Sequence, residues 1–439
     1  MSSGSVFDVA EIRLGRTIRA VVSMTDTQPA APSAEISRLT FRSERWRAFS
    51  YGILETAAST FLLLIAVKEL HAGATAKALI AAGASVGLLL GPIMVSWVQA
   101  KAMSPSVAAS RMAYFGALSF VVMALLPFLP VYVIGSIVAL TASTIIIPLI
   151  TQIYQENYKA SERGWMLSMS FVIRIATAAV FSELAGRALT GRLDQYRWLL
   201  LVFAVAYVLA AYWLRRIPST PLHVSGGTHP FKALRYVKTD PLFRQTLIAW
   251  MLMGFANLMM IPLRVEYLAN PKYGYALTTS QVALFVGVVP NVARLVMSPF
   301  WGWAFDRMNF FLLRLTLNIG FAIGILSFFT GKTAVGMWAG AIIFGASTAG
   351  GDVAWSLWVT KFTESERVAD YMSVHTFFTG VRGLFAPLVA FHMANHFQLA
   401  TIGWFSAALI GLSCLVLLPE IRFGKGAKKS SPLTEEVTD

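Results

Sequence analysis

Cysteine is almost absent. The only one, Cys414, falls inside an apolar run, so an intrachain disulfide and a cysteine-based metal site are both excluded. Charge is scarce too: Asp, Glu, Lys and Arg together make up 13% of the chain. Polar surface on that scale cannot cover a soluble globule. No glycine-rich phosphate loop precedes a helix, because Gly350-Gly351 lies within an apolar run and Gly226-Gly227 beside Pro and Ser. That argues against a nucleotide-driven pump. The short-range alternation of barrel strands is missing. Residues 1–45 hold no continuous apolar segment, so no cleavable signal peptide is expected. The segment Thr25–Ser37, rich in Ala, Pro, Thr and Ser, is expected to be disordered. Either Met1 or Met24 serves as the start.

What is present is apolar. Hydrophobic residues reach 56% and the mean hydropathy is +0.63, so lipid must be the solvent for most of the chain. The apolar residues gather into runs long enough to span a bilayer as helices, which satisfy their own backbone groups in hydrocarbon. Twelve such runs are expected: Ala48–Leu70, Ala78–Gln99, Met112–Leu129, Val131–Gln152, Trp165–Ala188, Trp198–Leu214, Phe243–Leu268, Ser280–Phe305, Phe310–Phe329, Ala334–Val359, Tyr371–Ala394 and Ala400–Leu418.

A basic stretch rich in Pro, Gly and Ser, from Arg215 to Arg244, divides them. The expected organisation is a largely disordered tail (1–45), a six-helix bundle (46–214), a linker (215–242), a second six-helix bundle (243–420) and a tail (421–439). Within the linker Phe231, Leu234 and Val237 recur at helical spacing beside Lys232, Arg235 and Lys238, which predicts a short helix lying on the inner leaflet. A net charge of +14 invites a nucleic-acid reading. The basic residues lie mainly in short loops on one side instead, and that bias makes both termini cytoplasmic. Arg187, Arg192 and Arg197 run against it, in one loop on the other side.

The halves repeat weakly. Ser161-Glu162-Arg163 precedes the fifth run and Ser365-Glu366-Arg367 the eleventh, and each run then carries an arginine, Arg174 and Arg382. Internal symmetry of this kind marks secondary transporters built from repeats. The loop after the eighth run reads Gly302-Trp303-Ala304-Phe305-Asp306-Arg307, with Arg314 beyond it. This resembles the loop motif of the major facilitator superfamily, as do Glu162-Arg163-Gly164 and Asp240-Pro241. Asn309 and Phe310 stand where that motif has glycine and a basic residue, and the first-half copy has Gln99 near the place of its aspartate. The resemblance implies an all-α membrane protein of two pseudo-symmetric six-helix bundles. It also implies gating by Asp306, Arg307, Glu162, Arg163, Glu366 and Arg367, with Asp306 docking near Gly164 and Trp165 at the start of the fifth helix, where free amides favour an anion.

Charges inside the runs carry the functional reading. Glu55, Arg174, Glu183, Arg294, Asp352 and Arg382 lie there. A mid-membrane charge costs about 2.5–3.5 kcal/mol even on lenient scales, so it must pair or line a wet cavity. In the family the first, fourth, seventh and tenth helices line the central cavity with the second, fifth, eighth and eleventh beside them. All six charges fall on that set, and the sequence places none on the third, sixth, ninth or twelfth. Arg174, Arg294 and Arg382 are expected to converge on a midplane cavity and bind an anionic group, with Asn257 and Asn291 as polar partners. An internal bridge such as Arg382 with Asp352 is the structural alternative. Glu55 and Asp352 are the expected proton-coupling groups. Glu183 with Arg187 reads as an ordinary one-turn pair. Trp97, Trp250, Trp303, Trp355 and Trp358 are expected to anchor at the interface. His392 and His396 stand at metal-ligand spacing without a third ligand, and no metal is expected.

The expected activity is that of a multi-pass plasma-membrane transporter, which in a bacterium means the inner membrane. It moves a small anionic or zwitterionic organic solute by proton-coupled symport. Efflux by proton antiport and a non-transporting sensor or scaffold are the alternatives. An enzyme is not expected, nor a cofactor, a nucleic-acid partner or an oligomer; the partners are the solute, protons or another coupling ion, and the bilayer.

Overall fold

A computed structural model describes residues 33–222, 232–331, 333–361 and 368–423. Twelve helices among them are long and apolar enough to cross a membrane. They are α1 (Ala34–Lys68), α2 (Ala74–Ala100), α3 (Pro105–Leu125), α4 (Leu129–Asn157), α5 (Gly164–Leu189), α6 (Leu193–Arg215), α7 (Pro241–Ala269), α8 (Thr279–Phe305), α9 (Phe310–Thr330), α10 (Ala334–Trp355), α11 (Tyr371–His396) and α12 (Leu399–Glu420). Many outward side chains are large and apolar, among them Trp198, Phe115 and Val335, as befits surfaces that face lipid.

Packing follows the repeat. In the first half α3 lies on α6 and α4, α2 on α4, and α1 on α5 and α6. The second half reproduces this, with α9 on α12 and α10, α8 on α10, and α7 on α11 and α12. The halves meet through two matched pairs, α2 with α11 and α5 with α8. Small residues permit these approaches: a Cβ on Gly380 or Gly383 of α11 would run into Leu89 or Ser85 of α2.

The first helix starts well before the expected Ala48. It begins at Ala34, with the Ser33 side chain accepting from the Ile36 amide at 3.2 Å, so the expected tail is shorter than 45 residues. The charges that hid this extension are satisfied against α4. Glu44 pairs with Arg47 and accepts from the Tyr154 hydroxyl at 2.5 Å, while Ser37 donates to the Asn157 carbonyl at 2.6 Å. The linker also departs from expectation. Lys232–Arg235 and Tyr236–Thr239 are short helices, but Leu234, Tyr236 and Val237 pack on the protein core, and Tyr236 stacks on Tyr371 at 4.7 Å. The expected Phe231 contact lies outside the described residues. The contrary arginines have local partners: Arg187 pairs with Glu183 at 2.5 Å, and Arg197 donates to the Ala124 carbonyl at 2.5 Å.

The named contacts between halves run from mid-helix to the side away from the termini. There Lys77 of α2 pairs with Glu266 of α7 at 2.7 Å, Lys68 donates to the Leu277 carbonyl, and the Ser280 amide donates to Thr190 at 3.0 Å. On the side of the termini a Cβ added to Gly164 or Gly302 would meet nothing within 4 Å among the described residues. The named contacts close the halves on the far side.

Candidate functional site

Two helices carry a π-helical turn, Ala57–Phe61 in α1 and Leu284–Val288 in α8. Such turns are rare and concentrate at functional sites. They face each other, since a Cβ on Gly287 would lie 3.6 Å from the Thr60 hydroxyl. Glu55 comes just before the first turn, and Asn291 and Arg294 just after the second.

Close packing then collects four charges. A Cβ on Gly52 would sit 2.5 Å from the Arg174 carbonyl, so α5 lies hard against α1. One turn on, Glu55 Oε2 meets Arg174 Nε at 2.9 Å. A Cβ on Gly345 would sit 2.2 Å from the Pro290 carbonyl, which brings α10 onto α8. Arg294 Nη1 reaches Glu55 Oε1 at 2.6 Å and Arg294 Nε reaches Asp352 Oδ2 at 2.5 Å. The result is a chain, Arg174–Glu55–Arg294–Asp352, that crosses from one half to the other and is electrically neutral as a set. Arg294 is its most buried member, with a side chain 8% exposed, while Asp352 is 45% exposed and Arg174 and Glu55 lie between. Asn291 Oδ1 stands 3.5 Å from Arg294 Nη1.

Arg382 does not join this chain. It was expected to converge with Arg174 and Arg294, or to pair with Asp352. Instead Asp352 is taken by Arg294, and Arg382 Nη1 donates to the Trp250 carbonyl within the second half. Asn257 Oδ1 is buried without a hydrogen-bond partner. Thr376 bonds back to its own helix at Met372, 3.0 Å away.

The gating residues are only partly described. Glu162 is exposed, and Arg307 lies over the Trp303 ring at 5.2 Å. The side chains of Asp306 and Arg163, and Glu366 and Arg367 altogether, lie outside the described residues. At the surface expected to receive Asp306, Trp165 is exposed on one side and packs on Phe41 at 5.6 Å on another.

Several buried charges escaped the sequence reading. Lys77 was placed one residue before its helix, and Glu266 and Arg264 near the end of theirs. Arg264 stacks on Phe344 at 3.7 Å. Arg314 was counted with the loop, yet it lies inside α9, 1% exposed, with its guanidinium 3.6 Å from the Trp250 ring centroid. The ninth helix therefore does carry a buried charge. Trp250 and Trp358 are core residues, not interfacial anchors. With Trp355 they surround His375, whose ring lies 5.1–5.7 Å from theirs. Among the described residues no group of three or more His, Cys, Asp or Glu is placed to hold a metal ion.

Neither a family model nor a curated protein matches the sequence. Solved structures do match the fold. A mutant of the nucleoside transporter NupG superposes with a TM-score of 0.71 at 10% identity, over 88% of this chain and 100% of that one. A D-xylose–proton symporter gives 0.67 at 16% identity, over 88% and 97%. The human organic anion transporter MFSD10 gives 0.62 at 12% identity, over 87% and 98%. The chain has the fold of the major facilitator superfamily, with twelve spans in two repeated bundles.

Proposed function

We propose that this protein is a secondary active transporter that moves a small anionic or zwitterionic organic solute by alternating access, in symport with protons. The observation that carries the reading is Glu55. It holds Arg174 in its own half and Arg294 across the interface, so the halves cannot rock apart without breaking a charge pair. Protonating Glu55 removes its negative charge and frees the Arg174 guanidinium, while Arg294 keeps Asp352. A solute carboxylate then restores neutrality, with Asn291, 3.5 Å from Arg294, and Asn257 of α7 as hydrogen-bonding groups. Proton and anion each favour the other's binding, as linkage requires. Asp352, the more exposed carboxylate, offers a second protonation point on the same arginine.

The neighbours support transport as the class of activity, one being named a proton symporter and another an organic anion transporter. The basic bias supports termini on the cytoplasmic side. Closing that side would bring together the loops that carry Asp306, Arg307, Glu162, Arg163, Glu366 and Arg367.

The test is uptake into proteoliposomes of labelled carboxylates, phosphates, sugars and nucleosides, with the lumen alkaline or at equal pH. One solute class is expected to accumulate only with the gradient. Glu55→Gln is expected to abolish accumulation but retain solute exchange. Accumulation that ignores both the gradient and this substitution excludes the proton-coupled mechanism.

A further inference from the structure

The early part of α1 has two faces. Ser37, Thr40, Ser43 and Glu44 are buried, and Glu44 is turned inward to Arg47 and Tyr154. The opposite face is exposed and carries Arg38, Arg42, Arg45 and Phe49 at helical spacing. Aromatic rings bound this face on both edges. On the α5 edge Phe41 lies 5.6 Å from Trp165, with the Arg45 guanidinium 5.0 Å from the Phe41 ring centroid. On the α6 edge Trp46 stacks on Trp213 at 5.9 Å. Arg216 completes this edge, over Tyr212 and Trp213 at 4.3 and 5.6 Å from their centroids.

These cations have no protein counter-charge. Among the described residues no carboxylate pairs with Arg38, Arg42, Arg45 or Arg216. Glu44 is taken by Arg47. Glu35 shares the outward face but lies two turns beyond Arg42, about 10 Å along the axis.

The rings also give the depth. Trp46, Trp213 and Tyr212 are amphipathic side chains of the kind that settle at the membrane–water boundary. Toward the N-terminus from Trp46, Arg45 and Arg42 stand about 1.5 and 6 Å further out, within the layer of headgroups, which is roughly 5–8 Å thick. Phe49 lies about 4.5 Å the other way, where acyl chains begin.

We infer that this corner of α1 and α6 binds one anionic glycerophospholipid, phosphatidylglycerol in chemical class, with its phosphodiester on Arg42, Arg45 and Arg216 and its chains starting at Phe49. Guanidinium forks match phosphate oxygens, and basic clusters beside spans at headgroup depth select acidic lipids. A lipid uses both parts of the site, the cations and the exposed Phe49 beneath them; a free phosphate ion uses only the first. The site occupies a different face of α1 from Glu55 and does not depend on the transport reading.

The experiment is native mass spectrometry of the full-length protein in detergent, offered equimolar phosphatidylglycerol and phosphatidylcholine with identical chains. Phosphatidylglycerol is expected to be retained at least about fivefold better, the attraction of a single arginine at a charged headgroup. The double variant Arg42→Gln with Arg45→Gln is expected to lose this preference. Lys101→Gln with Arg111→Gln, an equal loss of charge at exposed positions on α2 and α3, is expected to keep it. Equal retention of the two lipids by the unaltered chain overturns the proposal. So does an equal loss of preference in both double variants, which would make the effect one of overall charge. Displacement of the bound lipid by inorganic phosphate overturns it as well, since the apolar part of the site would then contribute nothing. No transport is measured, so failure here leaves the proposed function untouched.

Discussion

Glu55 of α1 and Arg294 of α8 are joined at 2.6 Å across the boundary between the two bundles. Each is also held within its own bundle, Glu55 by Arg174 and Arg294 by Asp352. Arg294 is therefore the hinge of the electrostatics, with one cation answering two carboxylates. Arg294→Met would leave both without it. Breaking a buried pair by removing one partner typically costs about 3–5 kcal/mol, and a clear fall in thermal midpoint is expected. Adding Asp352→Asn to that variant should recover part of the loss, because the surplus negative charge disappears while Glu55 keeps Arg174. Thermal unfolding of the two single variants and the double variant in detergent checks this, and strict additivity would contradict the coupling.

The Lys77–Glu266 pair closes the far side, with side chains 11% and 4% exposed. Glu266 also accepts from Asn270 at 2.8 Å. Lys77→Ala should favour opening of that side. In a Cys414→Ser background, a cysteine at Thr279, which is 4% exposed between the halves, should then react several-fold faster with a membrane-impermeant maleimide. The charge-swapped pair Lys77→Glu with Glu266→Lys should bring labelling back toward its original rate.

His375 is fully buried, and among the described residues neither of its ring nitrogens has a hydrogen-bond partner. It fills the space between Trp250, Trp355 and Trp358. Replacing a buried polar group that makes no bonds with an apolar one of similar shape is neutral or stabilising. His375→Phe is expected to keep the thermal midpoint or raise it, and to leave the pH profile of uptake unchanged. A shifted profile would mean that the imidazole titrates during transport.

Gly52 and Gly254 occupy matching positions but differ in what they touch. A methyl group at Gly52 would strike the Arg174 backbone carbonyl and Thr177, while at Gly254 it would strike the movable tip of Arg382. Backbone yields less readily than the end of a long side chain. Gly52→Ala should therefore lower folded yield and thermal midpoint more than Gly254→Ala, as size-exclusion recovery and thermal unfolding will report.

The charges inside long apolar runs were legible in the sequence, since Glu55, Arg174, Arg294 and Asp352 stand out against their neighbours. Their pairing was not. Arg174 and Arg382 look alike along the chain, and only the helix approaches set by Gly52 and Gly254, followed by Glu55 in one case and Asn257 in the other, separate their fates. Arg314 looked like a loop residue because basic residues belong beside Asp306-Arg307. Asn309 in fact caps α9 by accepting from the Phe311 and Leu312 amides, and this carries Arg314 a full turn into the helix. Lys77 and Glu266 were missed because charge near the end of a span looks interfacial until a partner from the other half covers it.

From Leu62 to Val67, beyond the π-helical turn of α1, no residue is more than 8% exposed. This stretch is enclosed by both bundles. Opening the far side would wet it, and each large aliphatic side chain so hydrated costs roughly 1.5–3 kcal/mol. Dewetting alone therefore gives the empty carrier a resting preference for the state with the far side closed, independent of any charge, and the carrier must overcome that bias before it can take solute from the opposite face.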